Sequence, residues 1–334
     1  MTRLVLRPAP AVSFTLDRRG VVVGVGLLIA LALAAVASLS IGSTVVQPGD
    51  VVRALVDIPT WAERIIDTRV PRVVLAIVVG VALGLAGALL QGVSRNPLAS
   101  PDVIGVTQGA GLAASIVLVA GAPIAVLPPV ALAGGLAAAV VVLLFGSGRG
   151  NRFVLAGIAV AVALRALTEI VIVGAEPVDG QRAQIWIVGT LAGWGYAEAL
   201  VVAVVIVLLV PVLFWAGRAL DTSALSDDVA MAIGVRVGPR RLLLAAAGVL
   251  LAAFATAQVG AVDFVALAAP QIARRLVKAE RPPLFCAALA GALLMVVADA
   301  AARTVFAPTQ LPVGVLTAVL GGPYLIWLLV RRKR

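Results

Sequence analysis

The chain has 334 residues, of which 62% are hydrophobic and 13% charged, against about 45–50% and about 25% in a soluble domain, so an ordinary water-soluble protein is excluded. The net charge of +10 would suggest nucleic acid, but the position of the charge along the chain accounts for it as membrane topology. Histidine is absent, the single cysteine (Cys286) lies in an apolar run, and no cysteine or carboxylate cluster has metal-ligand spacing; an intrachain disulfide is excluded and a bound metal is not expected.

Ten apolar stretches predict transmembrane helices at 21–41, 70–92, 102–120, 124–146, 153–174, 197–217, 241–258, 260–277, 283–305 and 313–330. Each is about long enough to cross a bilayer with its backbone groups bonded within a helix. The first stretch follows Arg18 and Arg19. It is long for the apolar part of a signal peptide and reads as an uncleaved first helix. Little chain is left between the spans, so a single membrane domain over 1–334 is expected.

Lys and Arg cluster in every second gap. One side takes Arg3, Arg7, Arg18, Arg19, Arg95, Arg149, Arg152, Arg218, Arg236, Arg240, Arg241, Arg274, Arg275, Lys278, Arg281 and the basic end Arg331 to Arg334, which is 19 of the 26 basic residues. This side is cytoplasmic by the positive-inside rule. Both termini are then inside, with 1–20 a short cytoplasmic segment. The expected location is the inner (plasma) membrane.

In chain order, the connection 42–68 is polar and carries Trp61, which suits a helix at the interface. The spans contain Gly80-Val-Ala-Leu-Gly84 and Gly84-Leu-Ala-Gly87, whose small faces allow close helix approach in lipid. Arg69-Val-Pro-Arg72 lies at the outer end of the second span and Arg303 near the outer end of the ninth. Basic residues on the translocated side run against topology. They either pair with nearby acids (Asp67 for Arg69, Asp299 for Arg303) or dock an acidic partner. At the inner end of the second span, Arg95-Asn-Pro-Leu-Ala-Ser-Pro101 is a rigid turn. It is either a plain connector or a constriction at the inner mouth.

Arg165 and Glu169 stand four residues apart in the fifth span. Charges at that depth are costly unless paired or facing water, so they form a mutual ion pair, line a path, or take a lipid-edge position from which the side chains snorkel. The connection 175–198 carries Trp186 and Trp194 around Ile185-Trp-Ile-Val-Gly-Thr-Leu-Ala-Gly-Trp194, a candidate short helix at the surface. The inner connection 218–241 contains Ala224-Leu-Ser-Asp-Asp-Val-Ala-Met-Ala-Ile-Gly-Val235. Ser226 suits an N-cap, Asp227 and Asp228 the positive helix end, and Gly234 the C-terminal cap. Leu225, Val229 and Ile233 recur at helical spacing, so this short amphipathic helix lies on the membrane or docks into a partner. The spans starting at 70 and 241 run in opposite directions and each begins a set of four, which fits an inverted repeat.

Four segments resemble the FecCD-type permeases, the membrane subunits of ABC importers for iron–siderophores, haem and vitamin B12. They are Arg69-Val-Pro-Arg72 with the Gly-rich span after it, QGVSRNPLASPDVIGVTQGAG from Gln91 to Gly111, Ala224 to Val235, and Asp299-Ala-Ala-Ala-Arg303 through Leu311-Pro-Val-Gly-Val-Leu-Thr-Ala-Val-Leu-Gly-Gly-Pro323. The resemblance implies an all-α, type II ABC importer architecture of ten helices per subunit, with two subunits around a central path. It implies that Leu225, Asp227, Asp228, Ala230, Ile233 and Gly234 belong to the element that couples to a cytoplasmic ABC ATPase. Arg69, Arg72 and Arg303 would face glutamates of an extracytoplasmic substrate-binding protein, and Asn96 and Leu98 would sit at the cytoplasmic gate.

The cargo implied is a ferric siderophore, with haem or cobalamin as alternatives. The second permease subunit would be another copy or a related chain. The chain departs from the family pattern at Gln271, where Pro-His is frequent, at Asp263 and at Ser226. It has no Gly-x-x-x-x-Gly-Lys-Ser/Thr phosphate loop. ATP would therefore be used by a separate subunit, and no cofactor is expected on this chain. A secondary transporter is the rival of another class; it would place carboxylates at mid-membrane, where Glu169 is the clear candidate. A membrane-embedded enzyme lacks a plausible nucleophile–base pair.

Overall fold

The computed structural model describes residues 3–9, 12–42, 44–56, 58, 61–145, 152–223, 227–307 and 309–331. Its helices are α1 (Arg18–Ser40), α2 (Pro48–Leu55), α3 (Glu63–Ser94), α4 (Val106–Val119), α5 (Leu127–Phe145), α6 (Arg152–Val173), α7 (Pro177–Ile187), α8 (Tyr196–Ser223), α9 (Asp227–Ala232), α10 (Val237–Val259), α11 (Val265–Val277), α12 (Leu284–Thr304) and α13 (Val313–Arg331). The N-terminal segment adds an antiparallel pair, β1 (Arg3–Ala9) and β2 (Val12–Asp17), with Arg3 opposite Asp17. The rest of the architecture is helical, as the apolar runs dictate.

Each of the ten expected stretches carries a helix, but the helices are not equivalent. Among the described residues, seven are long and apolar enough to cross a membrane: α1, α3, α6, α8, α10, α12, and α5 together with the turn that precedes it. By contrast, α4 has 14 residues and α11 has 13. At about 1.5 Å per residue they reach about 20 Å, short of a core of about 30 Å. The stretches at 102–120 and 260–277 thus carry short helices preceded by irregular chain. A 3-10 turn over Pro101–Ile104 and a left-handed Gly105 stand before α4. Gly260 and Phe264, both at positive φ, stand before α11. Each break carries an acid and a turn-forming residue, Pro101, Asp102 and Gly105 in the first and Gly260 and Asp263 in the second, but they are few enough for the apolar runs to continue on either side.

The two short helices occupy matching places. Series α3 to α6 and series α10 to α13 each run as a long helix, a broken connection, a short helix and two further helices. Their packing matches as well: α3 lies on α12 and α10 on α5, while α4 packs on α5 and α11 on α12. This is the pattern an inverted repeat produces.

Helix α3 is the central element, touching α8, α10, α11 and α12. Its contact with α12 is the most extensive in the molecule. There Gly80 and Gly84 face Gly291 and Ala287, and a Cβ at Gly80, Gly84 or Gly291 would run into the opposing backbone. In lipid such a crossing is held by close van der Waals packing rather than by expulsion of water.

Two expectations about the connections change. Trp186, expected on a helix at the surface, is buried against α4 and its neighbours. The helix there is α7, and it inserts into the bundle because its Trp and Ala183 face inward. Trp61 is exposed, as expected, but follows helix α2 instead of lying on it. Its Nε1 donates to Asp50 Oδ2 at 3.2 Å.

Candidate functional site

The arginines that run against the charge rule meet at one end of α3. Arg72 lies about two and a half turns inside α3, and its Nε and Nη2 both reach Asp299 Oδ1 on α12, at 2.9 and 2.8 Å. Its Nη1 donates to Gln310 Oε1 at 2.9 Å. Arg303, one turn after Asp299, places Nε 3.1 Å from Asp299 Oδ2. Its Nη2 donates to the carbonyl of Ser38 at 3.0 Å and also to Ser38 Oγ. Arg69 caps the end of α1, donating to Leu39 O at 2.6 Å and to Thr44 O at 2.8 Å.

The expected Asp299–Arg303 pair is therefore present but shared with Arg72, and Arg69 takes carbonyl partners instead of Asp67. The Asp299 side chain is fully buried, whereas those of Arg303 and Arg72 are 8% and 14% exposed. Two cations around one buried carboxylate leave a net positive charge at this end. Sequence reasoning read Asp299 only as a local partner of Arg303 and missed Ser38 and Gln310, which are distant in sequence and carry no motif signal.

At the other end of α3, Arg95 adopts the left-handed conformation (φ 52°) and ends the helix. Asn96 then organises the turn: its Oδ1 accepts from Leu98 N at 3.0 Å and its carbonyl from Ala99 N at 3.1 Å. Both Asn96 and Leu98 are half-buried. Behind this turn lies a buried amide pair. Gln271 Nε2 on α11 donates to Gln91 Oε1 at 2.5 Å and to Pro97 O at 3.2 Å, and Gln91 Nε2 donates to Leu267 O at 3.1 Å. Gln91 was not singled out from sequence, although a lone amide in an apolar helix is a visible signal.

Arg165 and Glu169 are exposed on α6 with Ile158 and Val162, on one open helix face. Among the described residues no ion pair joins the two. Arg165 instead attracts Asp263, in the connection before α11, which in turn repels Asp102, in the turn before α4. Asp102 accepts a 2.5 Å hydrogen bond from Thr107 Oγ1. The chain breaks before both short helices thus bring acids together near α6, an arrangement not visible in sequence order.

The short helix α9 lies between α8 and α10 and touches both. It ends as expected at Gly234 (φ 79°), with Gly234 N bonded to Met231 O at 2.9 Å and Val235 N to Ala230 O at 3.0 Å. These are the two bonds of a Schellman cap, whose left-handed residue favours glycine. Ala230 is buried, while Val229, Met231 and Ile233 are exposed, and Val229 and Ile233, one turn apart, share an apolar face. Leu225 and the Ser226 N-cap fall outside the described residues. Among the described residues no three His, Cys, Asp or Glu side chains converge to hold a metal ion.

Comparison with known proteins agrees with this geometry. A model of the FecCD transport family matches residues 29–331. The chain is 37% identical over 310 residues to the Fe(3+)-citrate import system permease protein YfmE of Bacillus subtilis, covering 91% of this chain and 93% of that one. It is 36% identical over 325 residues to the ferric enterobactin transport system permease protein FepG of Escherichia coli, covering 95% and 98%. It is 34% identical over 280 residues to the hemin transport system permease protein HmuU of Yersinia pestis, covering 80% and 83%. A solved structure of a metal-chelate type ABC transporter in an inward-facing conformation superposes with a TM-score of 0.81 at 27% identity, covering 92% of this chain and 99% of that one.

Proposed function

The chain belongs to the FecCD transport family, and on that premise we propose that it is the permease subunit of an ABC importer that moves a ferric siderophore across the inner membrane. The observation that carries this reading is the near full-length match to permeases of ferric-chelate importers. A second reading, haem as cargo, is favoured by the similarity to HmuU.

Transport proceeds by alternating access. A separate cytoplasmic ABC ATPase binds and hydrolyses ATP, and this chain contributes no cofactor. Both termini face the cytoplasm. Helix α9 is the coupling element: its exposed Val229 and Ile233 offer an apolar knob for a groove in the ATPase, and its contacts with α8 and α10 link it to the membrane helices. Asn96 and Leu98 form the inner gate.

On the opposite side, Arg69 and Arg72 offer positive charge to acidic residues of a substrate-binding protein, while the more buried Arg303 holds Asp299 and so fixes Arg72. A second permease subunit, another copy or a related chain, completes the path. Arg165 and Glu169 on the open face of α6 line that path, since exposed charges on an apolar helix need water or a partner.

The test is uptake of radiolabelled ferric siderophore by cells lacking this chain, with labelled haem and cobalamin in parallel. Loss of siderophore uptake alone, restored by the wild-type chain, is the expected result. Unchanged siderophore uptake with lost haem or cobalamin uptake would move the cargo to that compound. Rescue by a copy with Ala224–Val235 scrambled would overturn the coupling role of α9.

A further inference from the structure

We propose that Gln271 is the latch of the inner gate: a positioning residue whose amide holds the 95–100 turn closed through Pro97. The inference rests on the gate reading of Asn96 and Leu98 and adds the group that controls it. Gln91 and Gln271 are 4% and 3% exposed, so their amide groups have the protein, not bulk water, for partners. The Pro97 carbonyl sits between Asn96 and Leu98 and receives the Gln271 amide at 3.2 Å. The same Nε2 bonds Gln91 Oε1, and Gln91 passes the link back to Leu267 O on α11.

The local sequence explains why the side chains meet here. Pro270 has no N–H, so the Ala266 carbonyl four residues earlier loses its helical donor. That carbonyl lies against Gly87 of α3, where a Cβ would collide with it. Gln91, one turn further along α3, then reaches Leu267 and Gln271.

Helix α11 has its own boundaries. It is 13 residues long and bounded by left-handed residues at both ends, Phe264 (φ 67°) and Lys278 (φ 56°). A shift of α11 along α3 breaks the bonds to Pro97 and Gln91 and frees the turn. The polar part of the cost is a few neutral hydrogen bonds, less than the separation of buried charges would demand. A cavity of about 300 Å³ is lined by Gln91 and by Arg95 and Pro97 of the turn, giving the turn room to move. Arg95 from α3, Arg274 from α11, and Glu280 and Arg281 from the connection after α11 face this cavity, and α8 contributes Leu220.

The test labels Leu98→Cys, in a Cys286→Ala background, with a membrane-impermeant maleimide in inside-out vesicles holding the assembled transporter. Three side chains are compared at position 271: the native Gln, Gln271→Met, which keeps the shape without a donor, and Gln271→Glu. Ionised, the Glu side chain meets the acceptor oxygens of Gln91 and Pro97 and cannot latch; protonated, it regains a donor. Burial and those acceptors raise its protonation range, while the three arginines lower it and Glu280 raises it.

Gln271→Met is expected to label about tenfold faster than the native chain, from the loss of two buried hydrogen bonds. Gln271→Glu is expected to match Gln271→Met at about pH 8 and to approach the native rate at about pH 5.5. Each rate is taken relative to Gln271→Met at the same pH, which cancels ionisation of the thiol. Equal labelling of the native and Met chains, or a Glu chain that tracks Met at every pH, overturns the latch and leaves the gate intact. A Leu98→Cys that no variant exposes to the reagent overturns the gate reading itself. Uptake by the wild-type chain tests the permease separately.

Discussion

The two ends of α3 are held by opposite chemistry. At its N-terminal end the link to α12 is ionic: one fully buried carboxylate, Asp299, between two guanidinium groups. At its C-terminal end the link to α11 is neutral, an amide on each helix and two backbone carbonyls. Separating buried charges leaves each of them uncompensated at a cost of several kcal/mol, whereas exchanging one neutral hydrogen bond for another costs about 1 kcal/mol. One end of the central helix is therefore held by an ionic link that is costly to break and the other by neutral bonds that cost less to exchange. The glycine crossing with α12, near the middle of the helix, separates the two regimes.

The strongest way to break this contrast is Asp299→Ala. It leaves Arg72 and Arg303 facing each other without a counter-charge, and stability should fall by about 3–5 kcal/mol, read as a drop in thermal unfolding temperature in detergent. Replacing all three by apolar residues of similar size (Arg72→Met, Asp299→Leu, Arg303→Met) should recover most of that loss. A triple variant no more stable than Asp299→Ala would show that the ionic link is not what anchors this end.

A smaller effect is expected at the crossing. Gly291→Ala puts a Cβ against Gly80 of α3 and should cost about 1–3 kcal/mol by overpacking, with α3 and α12 forced apart. At the neutral end, Gln271→Met should cost about 1–3 kcal/mol, because Pro97 O and Gln91 lose a buried donor. Adding Gln91→Met should cost little more, since both amides are then gone; a strongly additive double variant would mean that the two glutamines act separately.

The smallest stability change, within about 0.5 kcal/mol, is expected for Ile233→Asp on the exposed face of α9. Transport should nevertheless fall sharply when uptake is measured beside ATP hydrolysis by the assembled complex. Normal uptake by that variant would remove α9 from the coupling path.

Much of this molecule was legible in its sequence. All ten apolar runs are helices, because a backbone in lipid can satisfy its polar groups only internally. The glycines at 80 and 84 marked the close crossing, Gly234 marked the cap of α9, and Asp299 with Arg303 marked an ion pair by their spacing. The shortness of α4 and α11 was hidden although Pro101, Asp102 and Gly105 stand before the first and Gly260 and Asp263 before the second, because so few residues barely interrupt an apolar run. The same blindness placed Trp186 at the surface, since an aromatic beside polar residues reads as an interface anchor until its neighbours in space are known.

The sequence by itself determined that the chain lies in a membrane, how many helices it forms and which family it joins, because hydropathy, charge placement and short motifs act locally along the chain. Only the tertiary structure decided which partners the special residues take. Arg72 and Asp299 are 227 positions apart and Gln91 and Gln271 are 180 apart. Such pairs are selected by helix packing, in which a close glycine contact sets the register and the polar side chains one or two turns away must then satisfy one another.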